Sequence, residues 1–254
     1  MNPLAQQSLT VLENAFRRLE QQVPPPRIVR INGQLALRYT EKLIEQALIQ
    51  KLARYISSLE ATYLLLEHGF LQEQGVLQRT LDEIDEDILF LAIAITNDAP
   101  TDLHNRYLAA FWSEEFADGA NPVESLIDRE MVPRKKMRAY VSRVLEPTSD
   151  SSRNLAVLKT ISKVYSGFVH AASPHLMEMC GSNPPIFHVR GMRGTPRVEE
   201  YEFDVWNYFY RGFVSTTVVA KALGDASLVK ALLENSFKFQ QECGRDFGAK
   251  PPDG

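Results

Sequence analysis

Beginning at Thr40, the apolar residues Leu43, Ile44, Ala47, Leu48, Leu52, Tyr55, Ile56 and Leu59 recur mostly at spacings of three and four, the period that gathers side chains on one face of an α-helix. A stripe that long has to be covered by other elements, so the chain is expected to pack helices around a helical spine. Thr40 is placed to cap the spine, and Gly75 to interrupt it after Gln74. Helical character resumes from Val76 to Ile95 and ends at Asn97, Asp98, Ala99 and Pro100.

The rest of the chain reads in the same way. Asn2 to Gln22 carries Leu4, Leu9, Leu12, Ala15, Phe16 and Leu19 near helical spacing, and Pro24, Pro25 and Pro26 stop it. Arg27 to Tyr39 alternates around Asn32 and Gly33, the strongest short signal for a β-hairpin, and this is expected to be the only β element. An isolated hairpin is marginal in water, so it should lie against helices or against a second copy. Thr101 caps a helix through Leu103, Tyr107, Leu108, Phe111 and Phe116; a short helix and then Pro133 to Leu145 follow. The polar run from Glu146, about residues 146–153, is expected to be a mobile connection. Asn154 to Ala172 is helical in pattern, Ser173 and Pro174 open a brief helix, and residues 182–200 read as an irregular loop. Phe203 to Leu223 and Ala226 to Cys243 are the closing helices, before a tail at 244–254 expected to be disordered. With no βαβ alternation and no internal repeat, the expectation is a single all-α domain over 1–254. It is an antiparallel bundle of about nine helices with one small N-terminal hairpin.

Composition narrows function more than fold. The 254 residues carry 28 Lys plus Arg against 32 Asp plus Glu, a formal charge of -4, so a protein devoted to nucleic acid is disfavoured. The longest apolar run, Ile88 to Ile95, is far short of the roughly twenty residues of a membrane span, and no membrane contact is expected. Only Cys180 and Cys243 occur, too few for a disulfide framework or a four-thiolate zinc site. The first twenty residues lack the apolar core of a signal peptide, so a reducing, cytoplasmic setting is expected.

Two stretches concentrate polar groups on otherwise apolar helices. In Arg79 to Asp87, Arg79, Glu83 and Glu86 share one side, while Leu81, Ile84 and Ile88 line the other. Past residue 88 every side is apolar, so this polar side runs towards enclosed protein, and Glu83 and Glu86 are expected at the rim of a cavity. An i,i+4 pair with Arg79 would orient the Glu83 carboxylate; a solvated acidic face near a helix N-terminus fits the same residues. In the second stretch Ser162, Ser166, His170 and Ser173 form a seam that also includes Tyr165 as a neighbour. His170, with a hydroxyl one turn before it, could act as a base or hydrogen-bond switch, although small residues at this spacing also mark close helix crossings.

The loop around His188, Arg190, Arg193 and Arg197 could wrap an anion, or pair with acids such as Glu199 and Glu200. It lacks the Lys and the preceding strand of a P-loop. Arg129, Arg134, Lys135, Lys136, Arg138 and Arg143 read as a solvated basic face. Trp206, Tyr208, Phe209 and Tyr210 crowd one helix and are expected in the core, in a pocket or at a subunit interface. The Glu-x-x-His motif of di-iron bundles is missing, neither cysteine has a neighbouring His, and no Gly-x-Ser-x-Gly occurs, so no cofactor and no metal are implied.

The segments Leu77 to Glu83 and Tyr165 to Ala171 resemble those of a bacterial family of all-helical proteins in which an Arg-x-x-x-Glu helix is followed by a Ser-x-x-x-His helix. The resemblance covers about the middle 110 residues and matches Arg79, Glu83, Ser166 and His170. It implies a fold and a shared polar constellation, without an activity. The small helical ribonucleases of toxin systems carry Arg followed four to six residues later by His, and none of the 18 Arg here does so.

Two functions follow as expectations. One is a binding or interaction module that recognises a small polar or anionic ligand through Arg79, Glu83, Glu86, Tyr165, Ser166 and His170, flanked by His188, Arg190 and Arg193. The other is a hydrolase or nuclease acting on a phosphate ester, with His170 and Glu83 as its acid and base. The hairpin and the aromatic helix make a homodimer a plausible assembly.

Overall fold

In the computed structural model, which describes residues 2–117, 125–145 and 164–249, the chain is mostly helical. Asn2 starts α1 (Pro3–Glu20) by accepting the Leu4 amide on Oδ1 at 2.8 Å, as a good N-cap does. The β-hairpin is where the sequence places it: β1 (Arg27–Ile31) pairs antiparallel with β2 (Gln34–Arg38), Ile28 opposite Leu37 and Arg30 opposite Leu35. Its two turn residues, Asn32 and Gly33, have φ of 48° and 76°, the conformation that a tight right-twisted hairpin requires and that Asn and Gly tolerate best.

The spine breaks earlier than its pattern suggests. α2 (Ile44–His68) ends at Gly69, whose φ of 75° closes the helix, and α3 (Leu71–Thr96) runs through Gly75 without interruption. Gly75 is there for space: a Cβ would stand 2.7 Å from Cγ of Phe168. Gly69 is there for conformation and space, since a Cβ would stand 2.2 Å from the Arg193 backbone nitrogen. Two residues, Gly69 and Phe70, join α2 to α3, so the pair folds back antiparallel.

α4 (Asp102–Trp112) starts at Thr101 as expected and stops four residues before Phe116. α5 (Arg134–Leu145) packs along α3. A helical stretch at 164–169 leads to α6 (Ser173–Met177). A second small hairpin, β3 (Cys180–Gly181) with β4 (Ile186–Phe187), corrects the expectation of one β element. The irregular loop is also shorter than 182–200, because α7 (Pro196–Ala222) begins seven residues before Phe203, behind Thr195 as N-cap and Pro196 in the first turn. α8 (Ala226–Cys243) follows after a short turn, capped by Asp225, whose Oδ1 accepts the Leu228 amide at 3.0 Å. The connection expected at 146–153 lies outside the described residues, as does the end of the tail. Residues 244–249 are docked: Phe247 stacks on Tyr210 and Phe239, and Gln240 Oε1 accepts the amides of Phe247 and Ala249.

The core lies where α2, α3 and α7 meet, with α1 and α8 closing one side. Leu48, Leu52 and Leu59 of α2, Leu81 and Leu91 of α3, and Phe209 and Phe213 of α7 are buried there. Gly212 lets the helices approach closely, because a Cβ would already be 3.2 Å from Leu12 and 3.3 Å from Leu59. Beyond Asp87, α3 buries Ile88, Phe90, Leu91, Ala92, Ile93 and Ala94 in turn, the enclosure its apolar sequence predicts. No helix among the described residues is long and apolar enough to cross a membrane.

Candidate functional site

The acidic run of α3 is paired along its length, with Asp82 and Asp87 buried and Glu83, Asp85 and Glu86 partly so. Five carboxylates, at Asp82, Glu83, Asp85, Glu86 and Asp87, meet five cations drawn from α2, α3, α5 and α7. Arg79 Nη2 lies 2.6 Å from Glu83 Oε1, the expected i,i+4 pair. Arg134 donates to the Glu83 carbonyl at 2.9 Å and to the Asp87 carboxylate, which Lys51 Nζ also reaches at 2.7 Å. Arg138 Nε donates to Glu86 Oε1 at 2.7 Å. Arg211 spans Asp82 at 2.6 Å and Asp85 at 2.8 Å, while Tyr208 donates to Asp82 at 3.0 Å and Ser215 to Asp85. Arg134 and Arg138 are thus part of the buried network, which corrects the reading of their segment as a solvated face. Burying a carboxylate without such partners would cost several kcal/mol.

Between α3, α5 and α7 this network leaves a cavity of about 320 Å3. Leu89, Met137 and Val141 form the apolar part of its wall, and Asp82, Asp85, Glu86, Arg138, Ser142, Asn207 and Arg211 the polar part. Several of these groups lack partners. Asp82, 7% exposed, has Oδ2 buried without a hydrogen bond, and so has Glu86 at Oε2, which Arg134 approaches at 3.8 Å. The Ser142 hydroxyl and the Asn207 amide make no hydrogen bond within the described residues. Burial raises the Glu86 pKa even against Arg138 and Arg134. Burial and the Asp82 charge raise that of Tyr208, whereas Arg211 is held firmly charged by Asp85, Tyr55 and Asp82 in spite of its burial.

Of the residues singled out from sequence, Glu86 lines this cavity and Arg79 with Glu83 stand beside it. Tyr165 pairs with a separate acid: its hydroxyl donates to Asp204 Oδ2 at 3.3 Å, and burial raises the pKa of both groups. The segment 165–175 meets α3 at Gln72 and Gly75, ahead of the Arg79 to Asp87 run. Tyr165 lies by Asp204, Phe168 covers Gly75, and the His175 carbonyl accepts from Gln72, so the chain from 165 to 175 runs antiparallel to α3. Phe168, at Gly75, thus stands about 12 Å of helix rise from Glu83. The His170 side chain is exposed, and neither a hydrogen bond nor an ion pair joins it to Glu83. Ser166 is half-buried and meets His170 only through the backbone bond from the His170 N–H to its carbonyl at 3.1 Å.

The anion loop is elsewhere. Met192 N–H donates to the Gly69 carbonyl at 2.8 Å, fastening the loop to the α2–α3 corner, about 16 Å of helix rise from Asp82. His188 is half-buried, with Nε2 3.5 Å from Ser182 Oγ, and Arg190 and Arg193 are exposed. Neither arginine has a carboxylate partner among the described residues, while Arg197 pairs with Glu200 at 2.8 Å. The cavity next to His188 is only about 40 Å3.

Asp82, Asp85, Asn207 and Arg211 were not legible as a site from the acidic run alone. A signal was present in α7, where Asp204, Tyr208, Arg211 and Ser215 recur at four, three and four residues among aromatic neighbours; that is a polar seam on one face. Among the described residues no group of three or more His, Cys, Asp or Glu is arranged to hold a metal ion. The chain matches no family model, no curated protein and no solved structure.

Proposed function

We propose that the protein is a binding module and that its ligand, a small polar molecule, occupies the cavity between α3, α5 and α7. One observation carries this reading: a cavity of about 320 Å3 lined by Leu89, Met137 and Val141, whose wall also carries Ser142 and Asn207 with no hydrogen bond among the described residues. Small-molecule sites have this build, an apolar lining with a few convergent polar groups and a volume from about 300 Å3 upward. Ser142 and Asn207 offer polar atoms that a matching ligand can hydrogen-bond while its body packs on the apolar wall. A catalytic pairing of Glu83 with His170 has no observation in its favour.

The test is thermal unfolding against a panel of small metabolite-like compounds, in the native protein and in Val141→Trp, which fills the cavity. A ligand at about one hundred times its Kd stabilises the fold by about 2.7 kcal/mol, a shift of several degrees. The expected result is a midpoint shift in the native protein that vanishes in Val141→Trp. A shift that persists in the filled variant puts the ligand elsewhere and overturns the reading.

A further inference from the structure

We infer that the open edge of β2 docks an extended peptide segment of a partner protein, which joins the hairpin as a third, antiparallel strand with apolar side chains inward and a carboxylate outward. The inference is independent of the cavity between α3, α5 and α7. A groove of about 670 Å3 runs between β2 and residues 111–116, lined by every residue from 34 to 39 but by Ile31 alone of β1. Successive residues of a strand point to opposite faces, so a groove lined by consecutive residues follows the edge of the strand and not one of its faces.

The register fixes what that edge offers. Across the two-residue turn at Asn32 and Gly33, Ile31 and Gln34 exchange backbone hydrogen bonds, and so do Val29 with Ala36 and Arg27 with Arg38. The pairs between them, Arg30 with Leu35 and Ile28 with Leu37, turn their N–H and C=O groups away from each other. On β2 the groups facing the groove therefore belong to Leu35 and Leu37. Arg38 Nη1 donates to the Leu37 carbonyl at 2.9 Å, while both N–H groups and the Leu35 carbonyl make no hydrogen bond among the described residues. Free donors and acceptors two residues apart are matched by another extended backbone.

The surroundings select the occupant. Arg38 gives Nε and Nη2 to the Glu114 carboxylate at 2.7 and 2.9 Å, which holds the far wall within reach of two side chains. A single strand fits such a space, whereas the hairpin of a second copy would bring its own wall with it. The floor is aromatic: Tyr39 and Phe111 pack on Trp112 with ring centroids 6.4 and 4.8 Å away, a surface suited to apolar side chains. The outer face carries Ile28 and Leu35, each 69% exposed, and Arg30. Residues 27–38 include no acid. Arg27 pairs with Glu41, Arg38 with Glu114, and Glu115 of the far wall with Arg129, but Arg30 reaches only the Gly33 carbonyl, at 2.9 Å. The unmatched charge is positive, so a carboxylate on the outer face of the added strand, opposite Leu35, complements it.

The probe is the blocked peptide acetyl-Val-Glu-Val-Glu-Val-amide, as long as β2, titrated into the full chain and followed at backbone amides by NMR and hydrogen exchange. The expected result is saturable binding that shifts the Leu35 and Leu37 amides and slows their exchange. N-methylation of both Glu residues removes the N–H groups that face β2 and should weaken binding at least tenfold; Lys in place of Glu should weaken it at least threefold. Leu35→Pro deletes an outward N–H and none of the bonds to β1, and should cost at least tenfold; the N-methylated peptide carries the test if that variant disturbs the hairpin. Arg30→Gln should remove the preference for Glu over Lys. Binding that survives N-methylation unchanged, or a Lys peptide that binds as tightly as the Glu peptide, overturns the inference, as does the absence of any shift at Leu35 and Leu37. Protection of those two amides in the protein alone, lost on dilution, would place a second copy on the edge and overturn it too.

Discussion

His104 is fully buried and its protonation state is dictated by its neighbours. Nδ1 lies 3.0 Å from the Thr101 amide nitrogen and accepts its hydrogen, so Nε2 bears the proton and faces the Phe90 carbonyl at 3.2 Å. The ring also stacks on Phe90 with centroids 4.0 Å apart. A second proton on Nδ1 would turn an acceptor into a donor aimed at an N–H, and burial already pushes the His104 pKa below its usual value. Because the unfolded chain takes up that proton near pH 6.5 and the folded chain only at lower pH, the folded state is favoured above pH 6.5 and loses ground as pH falls. Urea unfolding should show stability dropping by up to about 1.4 kcal/mol per pH unit between the two pKa values. His104→Gln should be less stable at pH 7 and should flatten that part of the profile; an unchanged slope would exclude His104 as its source.

α3 owes its position to charge as well as to apolar packing. Asp87, with a side chain 2% exposed, ties α3 to Lys51 of α2 and Arg134 of α5 at once. Asp87→Ala should destabilise by about 3 kcal/mol, since it leaves two cations beside an apolar core. The double change of Asp87→Leu with Lys51→Met should recover much of that loss, because an apolar pair of similar volume removes the need for compensation; chemical denaturation of the two variants decides it. The same helix explains why the reading of α5 as a solvated face failed. Its Lys135, Lys136 and Arg143 do not enter the network, whereas Arg134 and Arg138, one turn apart, align on the side that meets Glu86 and Asp87. A charge count of α5 alone cannot distinguish the two sides; the position of α3 does.

Across the molecule, the helices close into one packed body whose last described residues take part. Phe247 stacks on Tyr210 of α7, ring centroids 5.1 Å apart, and lies 6.2 Å from Phe239 of α8. Phe247→Ala should lower stability by about 2 kcal/mol, less than a fully buried Phe because the ring is only half covered. A calorimetric midpoint unchanged by that substitution would show that the segment adds nothing to the fold. Gly and Asp in the tail favour fraying, and for residues 244–249 the Phe247 ring outweighs them.

What the amino-acid sequence determined by itself is what residues a few positions apart can settle. The helical periods of α1 to α4, the turn at Asn32 and Gly33, the caps at Asn2 and Thr101, and the Arg79–Glu83 pair all depend on contacts within about one helical turn. The site was decided by tertiary structure. Arg211 and Asp82 are 129 positions apart, and Arg134 and Asp87 are 47 apart, so which cation meets which acid depends on how helices pack and on small residues such as Gly75 and Gly212 that set their approach. Gly69 and Gly75 make the same point: both can end a helix, and only the backbone of residues 192–193 against the first and the ring of Phe168 against the second determine which one does.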